Sequence, residues 1–407
     1  MKNKSYLSTF LLMLISASTS IGQTAYITNS VENTVSVIDV ASNTVTNTIP
    51  SGSVPYGVSV SLDGTKVYIS NQGDSSVSVI NTATNTVTAT IAVGSHPNGL
   101  AVSPDGTKLY VTNALAETIS VINTTTNTIT DTIPVGYNPW GVSFSPDGSK
   151  AYVANYWGGT INVINTLLDT VTNTITLGGC PTEIAISPDG SKLYVTNFCN
   201  DRVQVIDAAT NTLIATILYS HYPIGICITP DGSKVYVTHD LDSISVINTA
   251  TNTVLTTIYS GAQPYGISVT PDGSKVYAAN ESDSTVTVIN TAVDTVLNQI
   301  SVGWGAVAFG NFISSFSQPL GFNSMNIAFE SVCISPNPFT SQTTIAFSEE
   351  QKNTSIKITD IVGKEIKTIN FTGKQLTIEK GEMQAGIYFV QTTDEQKHIC
   401  NKQIIIQ

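Results

Sequence analysis

The 407-residue sequence predicts an all-β chain, a seven-bladed β-propeller followed by a small C-terminal β-sandwich. Three observations predict it. Charged residues are only 11% of the chain, and Thr, Val, Asn and Ser abound with Gly and Pro between them, a composition of short strands and turns rather than of disorder. Asp-Gly recurs at Asp63, Asp105, Asp147, Asp189, Asp231 and Asp272, at spacings of 42, 42, 42, 42 and 41 residues. Three further strand markers each occur seven times.

In chain order, residues 1–22 read as a signal peptide. Lys2 and Lys4 precede the apolar run Phe10–Ile15, and Ser20-Ile21-Gly22 offers a cleavage site before Gln23. That run is too short to span a bilayer, and no later stretch is long enough either. Export places the five cysteines in an oxidising compartment.

Residues 23–313 hold the repeat. In the unit Asn98–Ile133 the strands are expected at Leu100–Ser103, Lys108–Thr112, Thr118–Asn123 and Thr128–Ile133. Pro104-Asp105-Gly106-Thr107 joins the first two, with Gly106 supplying positive φ; a β-branched residue there costs roughly 1–2 kcal/mol. Four antiparallel strands per repeat make a propeller blade. The second strand is marked by Tyr26, Tyr68, Tyr110, Tyr152, Tyr194, Tyr236 and Tyr277. The third ends at Asp39, Asn81, Asn123, Asn165, Asp207, Asn248 and Asn290, and the outer strand at Ile49, Ile91, Ile133, Ile175, Ile217, Ile258 and Ile300. The first strand is clear only six times, at Gly57, Gly99, Gly141, Gly225 and Gly266, with Glu183 in place of glycine once. Its missing copy is expected at Gly305–Phe309, so that the first blade closes from both ends of the repeat and leaves no open edge.

Tyr110-Val111-Thr112-Asn113 and Tyr194-Val195-Thr196-Asn197 are literal matches to the YVTN β-propeller repeat, which the region 24–310 resembles throughout; His239 departs from it. The resemblance implies an extracellular or surface-layer protein, with a distant likeness to lactonase-type propellers. After a linker (314–330), residues 331–407 resemble the C-terminal sorting domain of type IX secretion substrates. The resemblance rests on Pro336-Asn337-Pro338, on Asp360, Gly363 and Lys364 of a D-x-x-G-K turn, on Gly386 and Tyr388 of a G-x-Y strand, and on the terminal Lys402–Ile405. It implies export across the outer membrane of a Gram-negative bacterium, contact with that secretion machinery, and removal of the tag.

Charge narrows the partners. Residues 23–330 hold 7 Lys and Arg against 21 Asp and Glu, a balance of −14, with no basic stripe, so nucleic acid is not an expected partner. The loops opposite the Asp-Gly turns vary most, and loops on a rigid scaffold commonly carry function. Their aromatics include Tyr56, Trp140, Tyr156, Trp157 and Tyr265, which suit an extracellular glycan or protein ligand. Tyr56, Trp140 and Tyr265 share one Pro-x-Gly position, which also suits packing between blades, whereas Trp157 lies in a unique Tyr-Trp-Gly-Gly loop. His96, His221 and His239 lie in different blades without ligand spacing, and the loop acids, Asp240 and Glu281 among them, read as solvated. No cofactor is expected. Nucleophile motifs are absent, and the recurring Asn29, Asn71, Asn113, Asn155 and Asn197 read as strand-end hydrogen bonders. Cys180 and Cys199 flank one blade's first two strands and can pair, as can Cys333 with Cys400, while Cys227 reads as a small core residue. Three readings follow: a non-catalytic binding or adhesion propeller, a lactonase-like or other hydrolase, and a structural surface-layer component.

Overall fold

The computed structural model describes residues 23–219, 221–314, 333–335, 340–360, 365–381, 383–384, 386–393 and 399–406. The signal-peptide reading, Pro336, Asn337, Pro338, Gly363, Lys364 and nearly all of the linker lie outside them. The chain folds as two compact units, with the boundary between Leu320 and Gly321.

The first unit is a seven-bladed β-propeller. Blade 1 contains β1 (Thr24–Asn29), β2 (Thr34–Asp39) and β3 (Thr44–Pro50). Blade 2 contains β4 (Pro55–Val60), β5 (Lys66–Asn71), β6 (Ser76–Asn81) and β7 (Thr86–Ala92), paired in that order from the axis outward. Five more four-stranded sheets repeat this pattern as far as Ser301. In the Asn98 unit the first strand runs Pro97–Val102, three residues earlier than the alternation suggests. The register shift between Pro97 and Leu100 interrupts the pleat that a pattern search relies on. Every outer strand carries one bulge and is mostly exposed, burying chiefly its marker isoleucine, such as Ile133. The tyrosines of the second strands are buried between blades.

Turn chemistry explains the repeat's punctuation. Gly106 has φ of 74°, and Asp105 accepts hydrogen bonds from Ser103 Oγ and from Thr107 N and Oγ1. Burial pushes the Asp105 carboxyl up, but these bonds outweigh it and hold the pKa below the usual value. The recurring lysines bind neighbouring blades. Lys108 Nζ meets Thr166 O at 2.7 Å and Asp169 at 2.7 Å, Lys234 meets Asp294 at 2.8 Å, and Lys275 reaches Val40 O at 2.7 Å, joining blade 7 to blade 1. Their partners Asp169 and Asp294 hold φ near 50°, a conformation Asn and Asp tolerate.

The ring is closed by residues 304–314. Asn29 bridges Ala306 and Ala25 bridges Ile313 in antiparallel sense, and Tyr26 N donates to Phe312 O at 2.9 Å. The segment thus supplies the inner edge of blade 1. On its other side the same segment meets blade 2, where Val58 N donates to Phe309 O at 2.8 Å.

The second unit is an antiparallel sheet of strands Cys333–Ser335, Gln342–Asp360, Glu365–Glu379, Gly386–Thr393 and Ile399–Ile406. Its two longest strands bend at register shifts, and alternate residues such as Ile356, Ile358, Val390, Ile404 and Ile406 form one core. Asp360 pairs with Tyr388, and Lys402 with Val390. Cys333 lies opposite Ala346 and Cys400 opposite Thr392, on strands separated in the pairing path by Gln342–Asp360 and Gly386–Thr393. Among the described residues the sole helical turn is the 3-10 turn Phe198–Asn200, and no helix is long and apolar enough to cross a membrane.

Candidate functional site: a plugged axis between two mouths

Each inner strand begins Pro-x-Gly or a variant, and the middle residue points its side chain toward the axis at the variable-loop end. Tyr56, Trp140, Ile224, Tyr265 and Val307 occupy this position and gather with Phe309 and Phe198 into one apolar cluster. Phe309 is 1% exposed, and its ring lies 6.0 Å from Tyr56, 6.2 Å from Trp140 and 6.3 Å from Tyr265. Tyr56 OH donates to Tyr265 OH at 2.6 Å. Burial first, then the neighbouring Tyr265, holds the Tyr56 phenol well above its usual pKa; burial also raises Tyr265, against the hydrogen bond from Tyr56. The three aromatics therefore plug the axis.

Outward from the plug the rings continue. Trp140 stacks on Tyr156 at 4.6 Å, Tyr156 meets Trp157 edge-on at 4.8 Å and Phe198 at 6.2 Å, and Phe198 stacks on Tyr222 at 5.0 Å. Trp157 is 58% exposed, and Tyr222 is exposed as well. Asp240 and Glu281 stand close enough to this arc to act on its phenols: Asp240 on Tyr156 and Tyr265, Glu281 on Tyr56 and Tyr265. Burial raises both carboxyls, and the charge of Asp240 adds to the rise at Glu281. These two acids, read from the sequence as solvated, are half-buried beside the arc, where adjacent blades bring their loops together.

A disulfide joins Cys180 to Cys199 across a Cα separation of 5.1 Å, tying the entry to blade 5 to the loop that carries Phe198. His239 is buried, with Nδ1 2.6 Å from His221 O and Nε2 2.8 Å from Ser245 Oγ. Burial lowers its pKa to about 4. It takes the place of the recurring asparagine, which in five other blades donates to the residues five and seven further on, as Asn113 does to Thr118 and Ser120. Glycines at the loop entries make room for that amide: a Cβ on Gly94 would lie 2.6 Å from Asn113. His96 and His221 lie on other loop segments, and no group of three or more His, Cys, Asp or Glu among the described residues could hold a metal ion.

Below the plug the axis is hollow. A cavity of about 510 Å³ opens toward the Asp-Gly turns, where Leu62, Pro104, Pro146, Pro230 and Pro271 line it. Its walls are small or aliphatic residues of the inner strands, and they include Cys227, which packs against the core beside Tyr236 as its sequence context suggests but is also part-exposed to the cavity. The inner strands of a seven-blade ring cannot meet at the centre, so a small residue there faces space. Glu183 also lines the cavity.

A ring of seven such blades around a plugged axis defines the chain as a β-propeller protein with a separate C-terminal β-unit. More particularly, residues 58–156 match the YNCE-like beta-propeller family, and residues 334–407 match the secretion system C-terminal sorting domain. The second match marks the protein for secretion. Among solved structures, the chain is similar to a Kuenenia stuttgartiensis hydrazine synthase chain, with 22% identity and a TM-score of 0.62 over 71% of this chain and 100% of that one. It is also similar to a functionally unknown protein from Desulfotomaculum acetoxidans, with 17% identity and a TM-score of 0.64 over 73% of this chain and 100% of that one. Both likenesses concern the fold. No curated protein matches the chain.

Proposed function

We propose that the protein is a secreted, non-catalytic binding module that holds a glycan on the variable-loop mouth of its propeller. The observation that carries this reading is the unbroken run of ring contacts from Tyr222 through Phe198, Tyr156 and Trp140 to Tyr56 and Tyr265, with Trp157 exposed on its outer side. Aromatic faces suit the C–H faces of sugar rings, and carboxylates beside them accept hydroxyl hydrogen bonds. Asp240 and Glu281 supply the acceptors, and the axial plug holds the rings rigid, which limits the entropy lost on binding.

The export route belongs to the same reading: residues 1–22 are removed at the inner membrane, and the sorting unit engages type IX machinery and is then cleaved. Intact mass of protein from the culture medium tests this. Loss of the segment from about residue 331 onward supports it, and a full-length periplasmic product overturns it. The mature protein on a glycan array, followed by titration of Trp157→Ala, tests the binding. Loss of one stacking residue is expected to weaken affinity about tenfold, or ~1.4 kcal/mol. No saturable glycan, or a hit indifferent to Trp157→Ala, overturns the reading. Lactone turnover abolished by chelation would favour a hydrolase instead.

A further inference from the structure

Glu183 is not one of the rings or acceptors of the aromatic arc, and the repeat does not ask for it. Its equivalents are Gly57, Gly99, Gly141, Gly225 and Gly266, and glycine is required there because the next inner strand lies close. A Cβ on Gly57 would lie 2.3 Å from Asn98 O, and one on Gly225 would lie 2.2 Å from Tyr265 O. Blade 5 alone carries a large polar side chain at this place. Glu183 is 7% exposed and faces the cavity. One carboxyl oxygen, Oε2, accepts from Ile226 N at 2.9 Å. The ion pairs among the described residues are Lys108–Asp169 and Lys234–Asp294, so among those residues no cation stands beside this carboxyl. The titratable groups that face it are Cys227 and Tyr56, and neither is cationic.

A buried carboxyl without a cation is costly when ionised. Here it stands in a cavity of about 510 Å³, within the range of small-molecule pockets, with Val142, Ile184, Ile226 and Ile267 around it and an open mouth. Residues 23–330 taken together carry the balance of −14, which favours cationic over anionic ligands for this unit. We propose that this cup, on the face opposite the aromatic arc, is a second binding site for a small amphipathic amine, whose ammonium pairs with Glu183 and whose hydrocarbon part lies against Val142, Ile184 and Ile226. Burial raises the Glu183 carboxyl to about 8, against the hydrogen bond from Ile226 N, so near neutral pH it enters the complex by losing its proton to solvent as the ammonium arrives. The carboxyl O–H is the one bond broken, its proton passes to solvent, and the ammonium is held by charge and hydrogen bonding alone.

The test is calorimetric titration of the mature protein with hexylammonium, and with hexanol as the uncharged probe of similar length. One hexylammonium is expected to bind per chain, with release of up to one proton measured in two buffers of different ionisation enthalpy. Affinity should rise by about tenfold per pH unit below pH 8. Glu183→Gln should weaken hexylammonium at least tenfold while leaving hexanol unchanged. Ala101→Phe, which fills the cup and keeps the carboxyl, should abolish both, so the proposal stays testable if Glu183→Gln fails to fold. Equal affinity for hexanol and hexylammonium, a pH-independent titration, or binding that survives Ala101→Phe would overturn it. Absence of saturable binding at millimolar hexylammonium would do the same. Each of these outcomes leaves the glycan reading of the other face standing, because that reading is tested at Trp157, which is neither beside Glu183 nor in the cup.

Discussion

Phe309 holds the ring closed from its axis, and Phe309→Ala measures how much that closure contributes. The main-chain pairing around it, Phe309 N to Tyr56 O at 3.2 Å and Val58 N to Phe309 O at 2.8 Å, does not depend on the side chain. The substitution therefore removes the ring alone. That ring is 1% exposed and touches three aromatics drawn from blades 2, 4 and 7. Truncating a buried Phe typically costs ~3–5 kcal/mol, as transfer plus the unfilled cavity. The plug cannot collapse, because its members are fixed to separate blades, so the upper half of that range is expected. Guanidinium denaturation of the mature protein reads the stability. Trp140 emission reads the plug directly, since its ring lies 6.2 Å from Phe309 and loses that cover. A loss below about 1 kcal/mol, the size of a surface change, with unaltered Trp140 emission would refute the claim that the axis is closed by this residue.

Two further outcomes follow from the same structure. His239 has a pKa of about 4 in the fold against an ordinary 6.5, so its contribution is present above pH 6.5 and is lost as pH falls through that window toward 4. Wild-type stability should drop by roughly 3 kcal/mol more than that of His239→Asn between pH 7 and 4; parallel pH profiles from chemical denaturation would contradict the burial argument. The Cys180–Cys199 bridge closes a loop of sequence separation 19. Replacing both by alanine should lower stability by up to ~3 kcal/mol and loosen Phe198 in the arc. A thermal scan with and without reductant checks this, and an unchanged midpoint would count against the bridge.

Periodicity made the architecture legible. The tyrosine, isoleucine and Asp-Gly markers each answer a local demand, namely a buried strand face, the one inward residue of an outer strand, and a turn with positive φ. Such demands repeat with the blade, so one blade reveals them all. The closing strand was legible as a missing copy, because an unfilled count of first strands points to the other end of the repeat. The shared Pro-x-Gly position already set Tyr56, Trp140 and Tyr265 apart from Trp157, but that these three meet Phe309 as an axial plug, with Tyr156 outside it, was not readable, since that depends on distance from the axis.

The blade, its repetition and the tail all arise from interactions within about one repeat length, which is why the order of residues was enough to specify them. Three other features exist only once the ring has closed. Phe309 became axial, because residues more than two hundred positions apart meet only on closure. Asp240 and Glu281 came to lie beside the arc rather than in free solvent, because adjacent blades bring their loops together. Glu183, a single exception to a glycine repeat, became a carboxyl lining a cavity, because seven inner strands packed side by side leave a hollow that no one strand encodes.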